Sequence, residues 1–203
     1  MSRPVIGIMG KARSGKDTIA NHLVNKYNLL RIGIADRIKL TASIMFNTPI
    51  LWFYTDNYKE KVIPKWNMSP RVMAQMIGTE AGRTLFGNNM WFDSIEEIIQ
   101  QFDTGALVPQ WLHDIPYSNL PSKYLDDYSG IVIPDARMDF ELDWIKNDLN
   151  GQIYGVHRHI ATGNVGIKNH PTETHVDMKK CDVVFDNNQT IEILLKCVDK
   201  QKK

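Results

Sequence analysis

The sequence predicts an α/β fold, in which a parallel sheet is flanked by helices, from two patterns that alternate along the chain. Short apolar runs typical of buried strands occur at 5–9, 30–34, 131–133, 152–156 and 183–185. Apolar residues at helical spacing occur at 17–27, 37–46, 70–86, 139–149 and 190–199. Buried strands separated by helices indicate a parallel sheet that is covered on both faces.

The first strand, 5–9, runs directly into a glycine-rich loop, and the first helix follows near Asp17. Backbone N–H groups and the helix dipole favour an anion at such a helix start. Gly10 and Gly15 let the backbone close around phosphate oxygens, and Lys16 supplies a charge for the β- and γ-phosphates. This context predicts a P-loop NTPase-type fold that binds a nucleoside triphosphate, although a purely structural glycine turn is the alternative. The candidate ATP-binding residues are Gly10, Ala12, Arg13, Ser14, Gly15, Lys16, Asp17 and Thr18.

Three residues are candidate ligands for Mg²⁺. Thr18 carries the hydroxyl that the strict pattern places one position earlier, where Asp17 stands. Asp17 either contacts a metal-bound water or stabilises the helix N-terminus. Asp135 follows the strand at 131–133, at the sheet edge where ligands bind in open α/β sheets. It can hold Mg²⁺ directly or through water, and Arg137 can reach a phosphate from the same loop.

A second polar constellation is predicted on the helix at 70–86. Ser69 and Pro70 form a favourable N-cap and first-turn pair. The apolar residues Val72, Met73, Met76, Ile77 and Leu85 predict a stripe that is buried against the sheet. On a continuous α-helix the opposite face carries Arg71, Gln75, Thr79 and Arg83, while Gly78 and Gly82 would admit a ligand close to the backbone. This face suits a phosphate and the polar edges of a base or sugar, but a merely solvated face is equally compatible with the pattern.

Length and composition favour one domain of 203 residues, with a core at about 1–46 and 130–203 and an insertion region at about 47–129. Within the latter, 103–129 is predicted to be long and irregular. The 24 basic residues nearly balance the 23 acidic residues, so no global field attracts nucleic acid. Cys181 and Cys197 form no metal or disulfide pattern. With no signal peptide or membrane span in the sequence, we expect a cytoplasmic protein.

Several motifs together resemble those of the bacteriophage deoxynucleoside monophosphate kinases, which belong to the P-loop nucleoside monophosphate kinase group. The resemblance covers nearly the whole chain. Its segments are Lys11–Thr18, Ala35–Lys39, Asp56 with Lys59 and Glu60, the most specific run Ser69–Arg71 with Gln75, Gly78–Glu80, Arg83 and Trp91, then Ile133–Arg137 with Glu141, His170–Glu173, and Asp182 to Thr190. Arg37, Met138, Phe140 and Gln189 depart from the family pattern.

The resemblance implies transfer of the ATP γ-phosphoryl group to a deoxynucleoside monophosphate (dNMP) with Mg²⁺, for DNA precursor supply during viral replication in the host cytoplasm. It also implies a helical segment that binds the monophosphate. Residues 157–159, followed by Gly163, Gly166 and Lys168, are predicted to form part of a mobile lid, and a surface loop with ordinary basic residues is the alternative. The predicted catalytic residues are Lys16, Arg13, Arg137 and Arg158. The predicted dNMP-binding residues are Lys11, Asp36, Arg37, Lys39, Arg71, Gln75, Gly78, Thr79, Arg83, Trp91, Arg137 and Glu141. Trp91 either stacks on a base or belongs to the core, and His170 and Glu173 are expected to order the site rather than to react.

Two other functions stay open on the sequence. A P-loop kinase could act on another small acceptor, such as dephospho-coenzyme A or phosphomevalonate. A nucleotide-binding module without catalysis is the alternative from a different class, although Arg13, Asp135 and Arg137 would be superfluous in it. No nucleic-acid or membrane partner is expected, and a homodimer is possible.

Overall fold

The computed structural model describes residues 3–116, 120–159 and 177–201. Contacts divide them into two compact units. The first unit contains residues 3–31, 128–159 and 177–201, and the second contains residues 32–116 and 120–127. The second unit therefore begins at residue 32, whereas the sequence suggested a boundary near 47.

The first unit is built on a five-stranded sheet in which every neighbouring pair is parallel. Its strands are β1 (Val5–Met9), β2 (Leu29–Arg31), β3 (Gly130–Ile133), β4 (Gln152–His157) and β5 (Val183–Asp186), in the spatial order β2-β3-β1-β4-β5. This confirms the predicted α/β fold with a parallel sheet. The predicted strand at 30–34 is too long, because Ile34 already begins a helix.

Helices cover this sheet because their apolar faces complete its core. They are α1 (Lys16–Tyr27), α8 (Asp139–Asp143), which continues into a π-helical turn (Trp144–Asp148), and α9 (Ile191–Gln201); a short 3₁₀ turn spans Met178–Lys180. The core cluster joins Ile8 of β1, Ile19 and Leu23 of α1, and Leu194 and Val198 of α9. Burial of these side chains against β1 fixes the strand from which the following loop leaves.

The second unit is helical in its described part. It contains α2 (Ile34–Met45), α3 (Asp56–Lys59), α4 (Pro70–Gln75), α5 (Thr84–Phe86), α6 (Asp93–Gln100) and α7 (Gln110–His113). A π-helical stretch (Met76–Arg83) joins α4 to α5, and 3₁₀ turns occur at Ile50–Phe53, Asn88–Trp91 and Leu125–Asp127. The helix predicted at 70–86 is thus continuous but not α-helical throughout. No helix in the described ranges is long and apolar enough to cross a membrane.

The apolar stripe predicted on 70–86 is only partly buried, which corrects the sequence-based expectation. Met73 is fully buried and packs with Ala42 and Phe53 of its own unit. Met76 and Leu85 are 42% and 71% exposed. Ile77 still packs against the Met73 cluster, whereas Met76 and Leu85 do not follow the α-helical periodicity on which the predicted stripe depended, because the winding becomes π-helical at Met76.

The region at 103–129 is irregular, as predicted, but it has its own buried anchors. Val108, Leu112 and Leu125 are each at most 5% exposed. The backbone pairs Val108 N with the Lys123 carbonyl at 2.7 Å and Leu125 N with the Ala106 carbonyl at 2.9 Å. These bonds close the two ends of the segment on each other.

Asp199 on α9 ties this helix to α1. Its carboxylate accepts hydrogen bonds from Lys26 and Tyr27 at 2.7 and 2.8 Å and lies 2.7 Å from His22 Nε2. The bond from Lys26, and then those from His22 and Tyr27, hold the pKa of this carboxyl well below its ordinary value. A carboxyl with a lowered pKa stabilises the fold above its ordinary pKa, and this contribution is lost as the pH falls towards the folded value.

We expect Asp199→Asn to lower the melting temperature at pH 6–7. Below about pH 4 the difference in melting temperature between this variant and the wild type should become smaller. Thermal unfolding from pH 7 to pH 3 measures the difference. Asp148→Asn, which removes an exposed carboxylate from the same unit, controls for net charge. A constant difference across this range would show that the ionised form of Asp199 does not contribute.

Candidate functional site

The loops that follow four of the strands lie at the carboxyl edge of the sheet. Since all five strands are parallel, the loop after β1 and the residues that follow β3, β4 and β5 emerge at this one edge. They bring Lys16, Asp135, Arg158 and Asn187 to the same end of the first unit. Open α/β sheets bind their ligands at this position.

The loop after β1 has the backbone of an anion-binding turn. Gly15 has φ +107° and Arg13 has φ +62°, while Ser14 N donates to the Lys11 carbonyl at 3.2 Å. A Cβ at Gly10 would lie 2.6 Å from the Val156 carbonyl oxygen, so that position accepts only glycine without movement. No side chain caps the start of α1, and an uncapped helix start of this kind favours a bound anion.

Two polar groups inside this loop fit a bound phosphate. The Lys16 side chain is buried, and its Nζ donates to the carbonyls of Gly10 and Lys11, both at 2.8 Å. Ser14 Oγ is buried and finds no hydrogen-bond partner within the described part of the chain. A buried hydroxyl without a partner is costly, and a phosphate oxygen in the loop would provide one.

Asn187 supports the loop from the end of β5. Its buried Nδ2 donates to the Ser14 carbonyl at 2.8 Å, and its backbone N–H donates to the His157 carbonyl at 2.8 Å. Sequence reasoning included Asn187 in a family motif, the run from Asp182 to Thr190, but gave it no part in the site. The motif was the available signal, because an asparagine at a strand end is ordinary turn chemistry by itself.

Asn187→Ala is expected to weaken ATP binding by about 5- to 150-fold, because loss of the buried bond to the Ser14 carbonyl costs about 1–3 kcal/mol. Titration calorimetry with ATP measures this, and unfolding in urea reports any general loss of stability. Asn147→Ala, on an exposed helical position of the same unit, is the matched control. Equal ATP affinity in the two variants would remove Asn187 from the site.

The predicted Mg²⁺ ligands differ in their surroundings. Asp17 is exposed, and its Oδ1 lies 2.6 Å from Arg31 Nη2 in an ion pair. Thr18 and Asp135 are half-buried. Among the residues described, no group of three or more His, Cys, Asp or Glu side chains could hold a metal alone. Mg²⁺ in nucleotide sites commonly takes one or two protein oxygens together with phosphate oxygens and water, and Thr18 and Asp135 fit this donor set better than Asp17 does.

The three arginines that were predicted to be catalytic belong to this unit. Arg13 and Arg158 are exposed, and Arg137 is half-buried. The predicted dNMP ligand Glu141 is buried, and its Oε2 accepts from the backbone N–H groups of Arg137 and Met138 at 2.7 and 3.0 Å. Glu141 therefore caps α8 and orders the Arg137 loop. Gly163, Gly166, Lys168, His170 and Glu173 of the predicted lid and motif lie outside the described residues.

Cysteine chemistry at the edge of β4 and β5 is disfavoured. Burial raises the pKa of the Cys181 thiol to about 11. At neutral pH the group is a thiol and not a nucleophilic thiolate.

The second unit carries the residues predicted on 70–86. Arg71 Nε lies 2.5 Å from Glu60 Oε1, and Gln75 is buried. Thr79 and Arg83 are half-buried within the π-helical stretch, whose wider i→i+5 winding breaks the uniform four-residue step that the sequence suggested. The four polar residues therefore do not form one straight α-helical face.

The two glycines of this segment lie against side chains of the protein's own core, and the ligand role predicted for Gly78 stays a prediction. A Cβ at Gly78 would lie 2.9 Å from Ile38, and one at Gly82 would lie 2.6 Å from Trp91. Trp91 is only 7% exposed, and its Nε1 donates to the Gly78 carbonyl at 3.0 Å. These contacts account for Trp91 as a core residue that packs against the π-helical stretch.

The start of α2 holds the remaining predicted dNMP ligands. Asp36 is buried and accepts from Gly33 N at 2.7 Å, which caps the helix. Lys39 Nζ lies 3.8 Å from Asp36 Oδ1. The exposed Arg37 guanidinium lies 5.5 Å from the centre of the Trp111 ring. Residues two positions apart on an α-helix are separated by about 160° around its axis. The side chains of Arg37 and Lys39 therefore leave α2 on nearly opposite sides.

Comparisons with known proteins confirm the resemblance. A protein of Acanthamoeba polyphaga mimivirus named "Putative deoxynucleotide monophosphate kinase" is 29% identical in an alignment of 202 residues, and this alignment covers 96% of each chain. No family model matches the sequence. A solved structure of the Thermus thermophilus protein TT1252 covers both chains fully at a TM-score of 0.50 and 14% identity, which is a likeness of fold. Dephospho-CoA kinase from Campylobacter jejuni aligns at a TM-score of 0.46 and 13% identity, over 100% of this chain and 97% of that one.

Proposed function

We propose that this chain is a phosphotransferase of the P-loop kinase type and that its acceptor is a deoxynucleoside monophosphate. The observation that carries the donor half is the loop with the buried Lys16 ammonium beneath it. The acceptor half is supported by the Ser69–Arg71 motif run and by the relative, which aligns with 96% of the chain. The products are ADP and a deoxynucleoside diphosphate, a precursor class for DNA synthesis.

The reaction needs charge and position more than covalent help. An oxygen of the acceptor phosphate forms a bond to the γ-phosphorus while the bond from that phosphorus to the β-bridging oxygen breaks, and ADP leaves. The acceptor oxygen is already ionised at neutral pH, so no general base is required. Lys16 and the loop N–H groups hold the donor phosphates, and arginine side chains neutralise charge on the transferred group. We assign this last role to Arg13, Arg137 and Arg158.

Magnesium completes the proposed donor site. Thr18 and Asp135 would hold it, and when bound it neutralises charge on the β- and γ-phosphates. Asp17, in its ion pair with Arg31, instead orders the first turn of α1 against the end of β2. Glu141 keeps the Arg137 loop in place through the two backbone bonds that it accepts.

A coupled ADP-release assay with ATP and Mg²⁺ tests the proposal. We expect turnover with one or more deoxynucleoside monophosphates above the ATP-only background, with the matching ribonucleotides reporting sugar discrimination. Dephospho-coenzyme A and phosphomevalonate belong in the same panel, because turnover with either alone would assign another acceptor. Tight ATP binding without transfer to any acceptor would leave a nucleotide-binding module.

A further inference from the structure

A lysine, a tyrosine and an aspartate at the start of the second unit form a closed set of contacts. Tyr54 donates its hydroxyl hydrogen to Asp36 Oδ1 at 2.7 Å. Lys39 Nζ lies 4.1 Å from the centre of the Tyr54 ring and 3.8 Å from the same Asp36 oxygen. Each of the three side chains therefore contacts the other two, which fixes the position of the ammonium more closely than either contact alone.

Asp36 already accepts hydrogen bonds from other groups, so the N–H donors of Lys39 are not needed to satisfy it. The buried Asp36 carboxylate accepts from Gly33 N through Oδ2 and from Tyr54 through Oδ1, so hydrogen bonds satisfy it without Lys39. The 3.8 Å ion pair is longer than a hydrogen bond. Within the described part of the chain, no hydrogen bond leaves Lys39 Nζ, although the side chain is only 24% exposed.

Tyr54 can fix the positions of Lys39 and Asp36 because its own side chain is packed against the core of the second unit. Its side chain is half-buried and packs against the cluster of Ala42, Phe53 and Met73. The ring thus presents one face to the ammonium, which is attracted to the negative face of an aromatic ring. Sequence reasoning did not single out Tyr54, since a tyrosine at the end of a short 3₁₀ turn carries no signal.

The other cation of the same turn is held differently. Arg37 is exposed, and its guanidinium lies 5.5 Å from the Trp111 ring on nearly the opposite side of α2. The two cations are therefore poorly placed to grip a single phosphate together. Of the two, Lys39 is the one whose ammonium is partly shielded from solvent and held from two directions, so its position is the better defined.

We propose that Tyr54 is a positioning residue that seats the Lys39 ammonium for the phosphate of the acceptor nucleotide. This inference rests on the proposed function and deepens it. Tyr54 acts in two ways: its ring lies beneath the ammonium, and its hydroxyl holds the Asp36 carboxylate that faces it. The acceptor phosphate then meets a cation that has little freedom left to lose on binding.

The seating itself is tested by NMR on the nucleotide-free protein. Protons held over an aromatic face are shifted upfield, so we expect an upfield shift of the Lys39 Hε signals. Tyr54→Leu should abolish this shift, and Tyr54→Phe should retain it because the ring remains. Random-coil Hε shifts in the wild type would overturn the seating, whatever reaction the protein catalyses.

The consequence for the acceptor is tested by steady-state kinetics at saturating ATP. We expect Tyr54→Leu to raise KM for the deoxynucleoside monophosphate by about 5- to 30-fold, with Tyr54→Phe closer to wild type. KM for ATP should stay unchanged in both. Tyr58→Leu removes a neighbouring tyrosine that stacks on Trp52 and not on Lys39, and it controls for loss of an aromatic ring.

A second background separates positioning from a general loss of structure. If Tyr54 acts through Lys39, Tyr54→Leu adds no further rise in KM to the Lys39→Met variant. Additive effects, or a rise in the KM for ATP that follows the melting temperature, would show a merely structural tyrosine. An unchanged acceptor KM in Tyr54→Leu, with wild-type turnover intact, overturns this inference alone. Absence of wild-type binding and turnover with every deoxynucleoside monophosphate overturns the proposed function, and with it the acceptor role of Lys39.

Discussion

Replacing Lys16 with alanine is expected to lower phosphoryl transfer by at least about 10²–10³-fold, the usual effect of removing one preorganised charge-stabilising group. The ammonium is buried beneath the loop, and its two bonds to the Gly10 and Lys11 carbonyls hold it there. The neighbouring Lys11 is exposed and is not held in this position. The coupled ADP-release assay measures the loss.

Two further variants sharpen this experiment. Lys16→Arg keeps the charge, but its planar, longer side chain does not reproduce an ammonium that bonds two adjacent carbonyls, so we expect it to be nearly as inactive. Lys196→Ala, on an exposed position of α9, should leave the activity unchanged. Transfer at the wild-type rate by Lys16→Ala would contradict the assignment of this loop to the donor.

The second large effect is expected for Gly15→Ala. At φ +107° a Cβ is strained, and it would lie 2.4 Å from Asn187 Nδ2. Asn187 must move, and the Ser14 carbonyl then loses its buried donor. We expect the free energy of unfolding to fall by about 2–4 kcal/mol, from about 1–3 kcal/mol of backbone strain and about 1 kcal/mol for the lost bond. ATP affinity should fall with it, because the start of α1 no longer has its ligand geometry.

Gly105→Ala is the matched control for this variant. Gly105 also has a positive φ, +75°, but a Cβ there meets no atom within 4 Å. It bears the backbone strain without the collision, and it should leave ATP affinity unchanged. Urea unfolding and calorimetric titration of both variants separate the two contributions. Equal losses of ATP affinity in the two would show that the contact with Asn187 does not shape the loop.

The sheet and the loop could be predicted from the sequence because both depend on local pattern. Val5–Met9 is an apolar run, and Gly10, Gly15 and Lys16 follow it at the spacing that a phosphate loop needs. The surrounding support could not be predicted in this way. Asn187 reaches Ser14 across 173 positions, and such a contact leaves no periodic trace in one sequence.

The helical segment shows a different reason for failure. Residues spaced by four from Arg71 to Arg83 share one face only if the helix is a regular α-helix. The sequence pattern does not indicate π-helical winding. The structure explains why a glycine stands at position 82. A Cβ there would lie 2.7 Å from the Ile77 carbonyl oxygen and 2.6 Å from the Trp91 ring. The glycine that suggested room for a ligand is therefore required by the protein's own packing.

The hydrogen bond from Asn187 to the Ser14 carbonyl also has a consequence for synthesis. A nascent chain lacks this support of the phosphate loop until Asn187 has been made. The ribosome makes the phosphate loop before β3 and β4, the two strands that flank β1 in the sheet. These strands emerge more than a hundred residues after β1, and Asn187 emerges later still. Parallel pairings of this sequence separation form slowly and only once the distant partner is available. A nascent chain would therefore carry every residue of the loop long before it could bind ATP tightly, and capture of the nucleotide would report the docking of β5.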